Sequence, residues 1–500
     1  MHDEHTEHTG PAGHIDPAGH MDPADLAEHA DEYHDEFFPD VPAPEDGSPW
    51  QAPADLEQHL YELCQEDDVY GYLRAMAIEG LYRPVRLDDD ARSAEGGRDE
   101  ESEQGGAASE LLTFDLPDGR RIAQVYTAGF LPRPHPELVY EYVTLDSLAA
   151  ACPDDVDLLV VNAATPCQQF YLTTDDEREV WSDLHARHYR PGNLAHRIDT
   201  RRTGAPAPGS PVLHGLACGA HLCFANGDVW NTLDWHGAGH HNEIDRLREW
   251  WGVDDRDDWL ALQERLLTRD VSPWYWDFVL NVRAALIERY GPRVDPELWR
   301  ERIEATLRHR VSQTAGPGAP HRPGEDAELD DFVAHVRALV GKVIRYESRF
   351  RADALLPPGG RVDTVAAWDT GRASKMARWG VGARYATRAE LLKALERASE
   401  AARAAYTSWE SFSAGYILGR CLHFDEEQFG TWYTDALRAH QALTTDPDSP
   451  WLTVDFRGGV AAPSRRDALT LRRGRPTSRS DLTPPPPLAT PPCNRFQSSV

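Results

Sequence analysis

The chain has 500 residues, with 83 Asp and Glu against 51 Lys and Arg and a formal net charge of −32. Such a balance repels phosphate backbones and anionic lipid, which argues against nucleic acid and membrane surfaces as partners. Its seven Cys are odd in number and scattered, without a Cys-x-x-Cys pair, which excludes a disulfide framework and a zinc ribbon.

The opening Met-His-Asp-Glu-His has neither a basic nor an apolar leader region, and nowhere do eighteen apolar residues follow one another. These features predict a soluble, cytoplasmic protein. Residues 1–50 are rich in His, Asp, Pro and Gly and bury too little to offset chain entropy, which predicts a disordered tail. Histidines 2, 5, 8, 14, 20, 29 and 34 alternate there with carboxylates but lack a tight ligand spacing, so a solvated tail is expected and no metal or cofactor.

A first ordered block is expected over 55–182. Leu60, Leu63, Tyr70, Leu73 and Met76 predict one helix from Leu56 to about Ile78, followed by a strand at Leu81–Leu87. The acidic, Gly-rich stretch 88–110 reads as disordered. Leu112, Phe114 and Leu116 alternate into Pro117-Asp118-Gly119, a hairpin signal, and Arg121–Tyr126 returns. A short helix at Leu145–Ala151 precedes Leu158-Leu159-Val160-Val161, a strand buried on both faces. This order of elements, with Leu116-Pro-Asp-Gly-Arg-Arg and Leu-Leu-Val-Val-Asn162, resembles the SseB amino-terminal domain family. The resemblance implies a small α/β domain and transfers no catalytic residue.

From about 212 to 456 the pattern turns helical. Helices are expected at Leu213–Ala225, Asn242–Trp251 ending at Gly252, a segment capped by Asp254 or Asp255, Trp274–Tyr290, Pro296–His309 after Asp295, and Asp330–Phe350. Residues 311–326 read as a loose insertion, and Pro357-Pro358-Gly359-Gly360 as a break. Thr387-Arg-Ala-Glu390 is a capping box, and Leu391, Leu395, Ala398, Ala402, Ala405, Trp409 and Phe412 form one core stripe behind it. Residues 457–500, Arg-rich with Pro484–Pro487, are expected to be disordered. The fold class is therefore α+β: a small α/β domain, then a mainly helical domain, between disordered tails.

The densest pattern lies late in the chain: Trp368-Asp369-x-x-Arg372, Arg378-Trp379-Gly380, Tyr406-x-Ser408-Trp409 and Gly415-Tyr416-x-x-Gly419-Arg420. With Trp250-Trp251-Gly252 upstream, it resembles the bacterial family known as domain of unknown function 1266, over about 212–456. The resemblance implies a fold and no reaction. Physically, Asp369 and Arg372 are placed to pair on one helix face, with Arg420 as a third member. Gly415 and Gly419 leave one helix face bare for a close neighbour. Trp368, Asp369, Arg372, Arg378, Trp379, Trp409, Gly415, Gly419 and Arg420 are thus a structural ion-pair cluster or a ligand site. Cys218, His221, Cys223, His236, His240 and His241 lack a metal-binding spacing, and His236-Gly-Ala-Gly-His240-His241 reads as a Gly-rich loop between helices.

No nucleophile elbow, phosphate-binding loop or dinucleotide motif is present. The expected function is non-enzymatic binding of another protein, with no catalytic residue assigned. Two alternatives are an enzyme acting on an anionic small substrate through Asp369, Arg372 and Arg420, and an acidic inhibitor of a basic toxin.

Overall fold

The computed structural model describes residues 50–87, 111–132, 135–190, 192, 195–234, 237–314 and 325–457. The tails expected at 1–50 and 457–500, apart from Trp50 and Arg457, and the acidic stretch 88–110 lie outside the described residues.

Two helices stand where the periodicity predicts one. Helix α1 (Asp55–Gln65) stops before Asp67, which takes φ 57°, and the Asp68 side chain caps helix α2 (Val69–Glu79) by accepting from the Gly71 N–H at 2.8 Å. Consecutive aspartates inside a helical pattern favour such a restart, because their side chains satisfy free N–H groups at a new N-terminus. The break leaves Tyr70 exposed, while Leu60, Leu63, Leu73 and Met76 enter the core.

The strands are β1 (Leu81–Arg86), β2 (Thr113–Asp115), β3 (Arg121–Val125), β4 (Leu138–Val143), β5 (Leu158–Val161) and β6 (Gln169–Leu172). Strands β2 and β3 make the expected hairpin, with Gly119 at φ 88° in its turn. Strand β5 lies parallel to β3 and antiparallel to β6, in the sheet order β2-β3-β5-β6, whereas β1 and β4 pair separately. All four residues of β5 are buried, as its unbroken apolar run predicts. Helix α3 (Leu145–Ala151) follows β4, capped by Thr144. Helix α4 (Asp175–His188) was not anticipated and runs through residue 182, where the first block is expected to end. Only Trp181 and Leu184 of α4 are buried, a stripe too thin to show as periodicity, although Thr174 and three acidic residues mark its start.

The helical part begins with α5 (Pro211–Cys218) and α6 (Ala220–Asn226), which the sequence reads as a single helix. Gly219 separates them, and a Cβ there would lie 2.9 Å from the Ser374 hydroxyl. Next come α7 (His240–Trp251), closed by Gly252 in the left-handed region, and α8 (Arg256–Leu267), capped by Asp255. Helices α9 (Trp274–Tyr290), α10 (Pro296–Thr314) and α11 (Glu325–Ala352) follow. The latter two extend into the stretch 311–326 predicted as loose, of which 315–324 lie outside the described residues.

The last helices are α12 (Ala366–Gly382), α13 (Arg388–Ala405), α14 (Trp409–Phe424), α15 (Thr431–Thr445) and α16 (Pro450–Thr453). Thr387 and Glu390 form the predicted capping box. The core stripe predicted as continuous to Phe412 is divided between α13 and α14, because Ser408 and Ser411 form a second capping box. Helix α12 lies at the centre, packed by α5, α6, α7, α8, α13 and α14.

The sheet and the helices meet through backbone as well as side chains. Gly239 makes a β-bridge with Glu141 of β4, the Tyr82 hydroxyl donates to Gly237 O at 2.6 Å, and Arg384 Nη2 donates to His135 O and Leu138 O at 2.6 Å each. All described residues fall within one compact unit. No helix among the described residues is long and apolar enough to cross a membrane.

Candidate functional site

Helix α12 is buried on every side from Ala366 to Gly380, although it carries Asp369, Arg372, Lys375 and Arg378. Small residues make this possible. A Cβ on Gly380 would lie 2.3 Å from Trp259 Nε1, and one on Gly371 would lie 3.0 Å from the Tyr416 ring. Helix α8 then satisfies the helix backbone from outside, with Trp259 Nε1 donating to Met376 O at 3.0 Å and Gln263 Nε2 to Ala373 O at 3.1 Å.

The glycines of α14 do what their spacing predicts. A Cβ on Gly419 would sit 2.5 Å from Trp368 Cβ, and one on Gly415 would sit 2.7 Å from Thr364 O. The Tyr406 hydroxyl fills the remaining gap, accepting from Ala367 N at 2.8 Å and donating to Thr364 O at 2.9 Å. Trp409 is core: its Nε1 donates to Val454 O at 2.8 Å, and its ring stacks on Trp451 at 5.6 Å.

Asp369 and Arg372 form the expected ion pair within α12. Asp369 is 1% exposed and, besides Arg372 Nη2, accepts from the Ser272 N–H at 3.0 Å and the Ser272 hydroxyl at 2.7 Å. The Arg372 guanidinium lies 4.2 Å from the Trp368 ring centre and 5.5 Å from that of Trp251, and its Nε donates to Trp368 O at 3.0 Å. Burial holds the Arg372 pKa below its ordinary value, with Asp369 acting in the opposite direction.

Arg420 does not join this pair. Its Nε donates to Trp432 O at 3.1 Å and its guanidinium covers the Trp432 ring at 4.9 Å. Gly419 faces α12, and the next residue on a helix is turned by about 100°, which points Arg420 towards α15 instead. Arg378 belongs to a different cluster: Nη2 donates to Val229 O at 2.5 Å, and Nη1 to Cys223 Sγ at 3.3 Å. Trp379 is 1% exposed, under Arg246 at 5.5 Å and beside Trp251 at 6.2 Å.

Further ion pairs of the helical part went unread in the sequence: Lys375 Nζ meets Asp228 at 2.5 Å and Arg283 Nη1 meets Glu347 at 2.9 Å, all four buried, and the half-buried Arg246 meets the buried Glu243 through Nη1 at 3.1 Å. Burial pushes the Lys375 pKa down against the pull of Asp228, and pushes the Glu243 carboxyl up against the pull of Arg246. Lys375 is one of only three lysines in the chain and falls on the Arg372–Arg378 spacing, the one local signal for it.

The Cys and His residues do not converge. His221 stacks on Tyr416 at 4.3 Å and meets the Ser413 hydroxyl at 2.9 Å, His240 contacts Gly382 O at 2.8 Å, and His241 pairs with Glu141. His236 lies outside the described residues. Among the described residues no group of three or more His, Cys, Asp or Glu is placed to hold a metal ion.

Residues 246–456 match the model of the family described as protein of unknown function (DUF1266), which takes in α12, α14 and every member of the Trp-Asp-Arg-Gly pattern. No match accompanies the SseB resemblance of residues 55–182. No curated protein and no solved structure matches the chain.

Proposed function

We propose that this protein is a non-enzymatic binding protein of the cytoplasm that docks another protein on its helical part. The carrying observation is the state of Asp369. It is the carboxylate of the Trp368-Asp369-x-x-Arg372 motif, and both its oxygens are engaged by Ser272 and Arg372. A general base must reach the proton it removes, and a carboxylate held this way inside the core serves to fix α12.

We assign the docking to aromatic side chains that reach solvent on elements close to α12 in the chain or in contact with it. Trp250 is 62% exposed and adjoins Trp251, which faces Arg372. Trp274 is 54% exposed and lies two residues beyond Ser272. Phe424, 39% exposed, contacts Trp368 at 6.1 Å. Exposed tryptophans are the side chains that interface hot spots favour. The six cysteines among the described residues are free, which suits a reducing compartment.

The test is affinity capture of the full chain from its native host, run beside the W250A/W274A variant. A protein recovered with the parent and lost with the variant, at equal thermal stability of the two, is the expected result. Identical recoveries from both would overturn the assignment.

A further inference from the structure

Lys375 Nζ lies 2.5 Å from Asp228 Oδ2, and both side chains are buried. With a carboxyl C–O bond of about 1.2 Å, the carboxyl carbon of Asp228 is no more than about 3.7 Å from that nitrogen. Groups held by a fold react from separations of about 3–3.5 Å. Of the three lysines, Lys375 is buried and Lys342 and Lys393 are not. The buried pairs Asp369–Arg372 and Glu347–Arg283 use arginine instead, whose guanidinium stays protonated and offers no nucleophilic nitrogen.

The lysine and aspartate have little else to hold them. An ammonium carries three N–H groups. Among the described residues neither Lys375 Nζ nor Asp228 Oδ2 has a hydrogen-bond partner beyond its contact with the other. The Trp379 ring lies 5.5 Å from Nζ, and Arg378, on the next turn of α12, bonds Cys223 Sγ, Trp230 O and Val229 O. A second carboxyl stands beside the first. A Cβ on Gly237 would lie 2.0 Å from Glu243 Oε1 and 3.4 Å from Asp228 Oδ1, so the two carboxyls flank one methyl-sized position. Two carboxyls this close inside a protein favour holding a proton. Burial holds the Lys375 pKa below its ordinary value, which favours the free amine, the form with a lone pair to give.

We propose that Lys375 and Asp228 join through an isopeptide bond, an amide between Nζ and Cγ that ties α12 to the segment after α6. The ammonium first passes a proton to the Asp228 carboxylate, leaving an amine against a carboxylic acid. The Nζ lone pair then adds to Cγ. The C–N bond forms, the C–OH bond breaks, and the hydroxyl leaves with one proton from the nitrogen as water. The step needs no further reactant. Its product keeps one N–H and one C=O and carries no charge, which removes the two desolvated ions that make a buried pair costly. Until the bond forms, the two groups remain the ion pair of the folded chain. The link does not depend on a docked protein.

The experiment is intact-mass measurement of the full chain, freshly folded and after incubation, with tryptic peptide mapping. The same chain purified and kept in urea, where the pair is apart, is the reference. The folded chain is expected to be lighter than the reference by one water, in a fraction that rises with incubation. The map is expected to join the peptides that contain residues 228 and 375. Lys375→Arg keeps a cation beside Asp228 but lacks the nucleophile, and Asp228→Ala lacks the electrophile, so both are expected to keep the full mass. Circular dichroism checks that the variants fold, and where one does not, the mass and map of the parent alone decide. A parent of full mass after incubation, a lost water mapped to other residues, or the same loss in folded K375R would each overturn the proposal.

Discussion

Lys375 and Asp228 meet 2.5 Å apart inside the helical part, the lysine fully buried and the aspartate 4% exposed. Neither is replaceable alone. Removing one partner of a buried pair leaves the other charge in low dielectric, whereas replacing both with apolar residues of similar volume is often neutral. Asp228→Ala is expected to cost about 3–5 kcal/mol of stability, read as a lower urea midpoint, and Lys375→Met to cost the same order. The double variant D228L/K375M is expected to recover most of that loss. A double variant no better than the singles would show that the pair contributes through its own attraction.

The close approach of α12 and α14 gives a second test. Gly419→Ala places a methyl 2.5 Å from Trp368 Cβ, on a rigid part of that side chain. Overpacking of this kind costs about 1–3 kcal/mol. The normal helix-propensity gain of Gly→Ala, at most about 1 kcal/mol, does not offset it. Thermal denaturation should show G419A less stable than the parent. An equal or higher midpoint would mean the two helices part easily, and the surface around Trp368 would then be softer than its packing indicates.

Much of this was legible from the chain because it is local. The Asp369–Arg372 pair, the bare face of Gly415 and Gly419, and the Thr387–Glu390 box all depend on residues within a turn or so of one another. The Lys375–Asp228 pair is different, because Asp228 lies just after α6 and only the tertiary fold brings it to α12. Glu243 and Arg246, three apart on α7, are as local as Asp369 and Arg372, but their spacing alone does not tell a pair inside the fold from one on a solvated face. Arg420 was misplaced for a rotational reason: its neighbour Gly419 takes the face that touches α12. The divided helices reflect capping. Asp68 and Ser408 each start a new helix inside a stripe whose hydrophobic period runs on undisturbed.

Buried histidines set the pH response. Burial holds His214 down to about 4 and places His221 and His440 below their ordinary values. In the unfolded chain each takes a proton near 6.5. Below that pH the unfolded state binds more protons than the folded one, so stability is full above about 6.5 and falls as the pH drops towards 4. His214 alone would remove on the order of 3 kcal/mol across that window. Glu243 opposes this trend, because its raised folded pKa favours the folded state as the pH falls. Urea midpoints measured from pH 8 to pH 4.5 should decline below about 6.5, and His214→Phe should flatten the decline. A midpoint constant across the range would contradict the assignment of these imidazoles as neutral core groups.

The junction of sheet and helices gives the last test. Glu141 on β4 accepts from the His241 N–H at 3.0 Å and contacts His241 Nδ1 at 3.1 Å, so it caps the first turn of α7 from another part of the fold. Such a cap is worth about 1–2 kcal/mol. Glu141→Ala should therefore loosen α7 locally, and the amides of its first turn should exchange with solvent about ten-fold faster. Amides of α14, which do not depend on this contact, should keep their protection. Equal acceleration in α7 and α14 would mean that the sheet supports the whole helical part through β4, and unchanged exchange in both would mean that the Gly239 bridge and the Arg384 contacts hold α7 without Glu141.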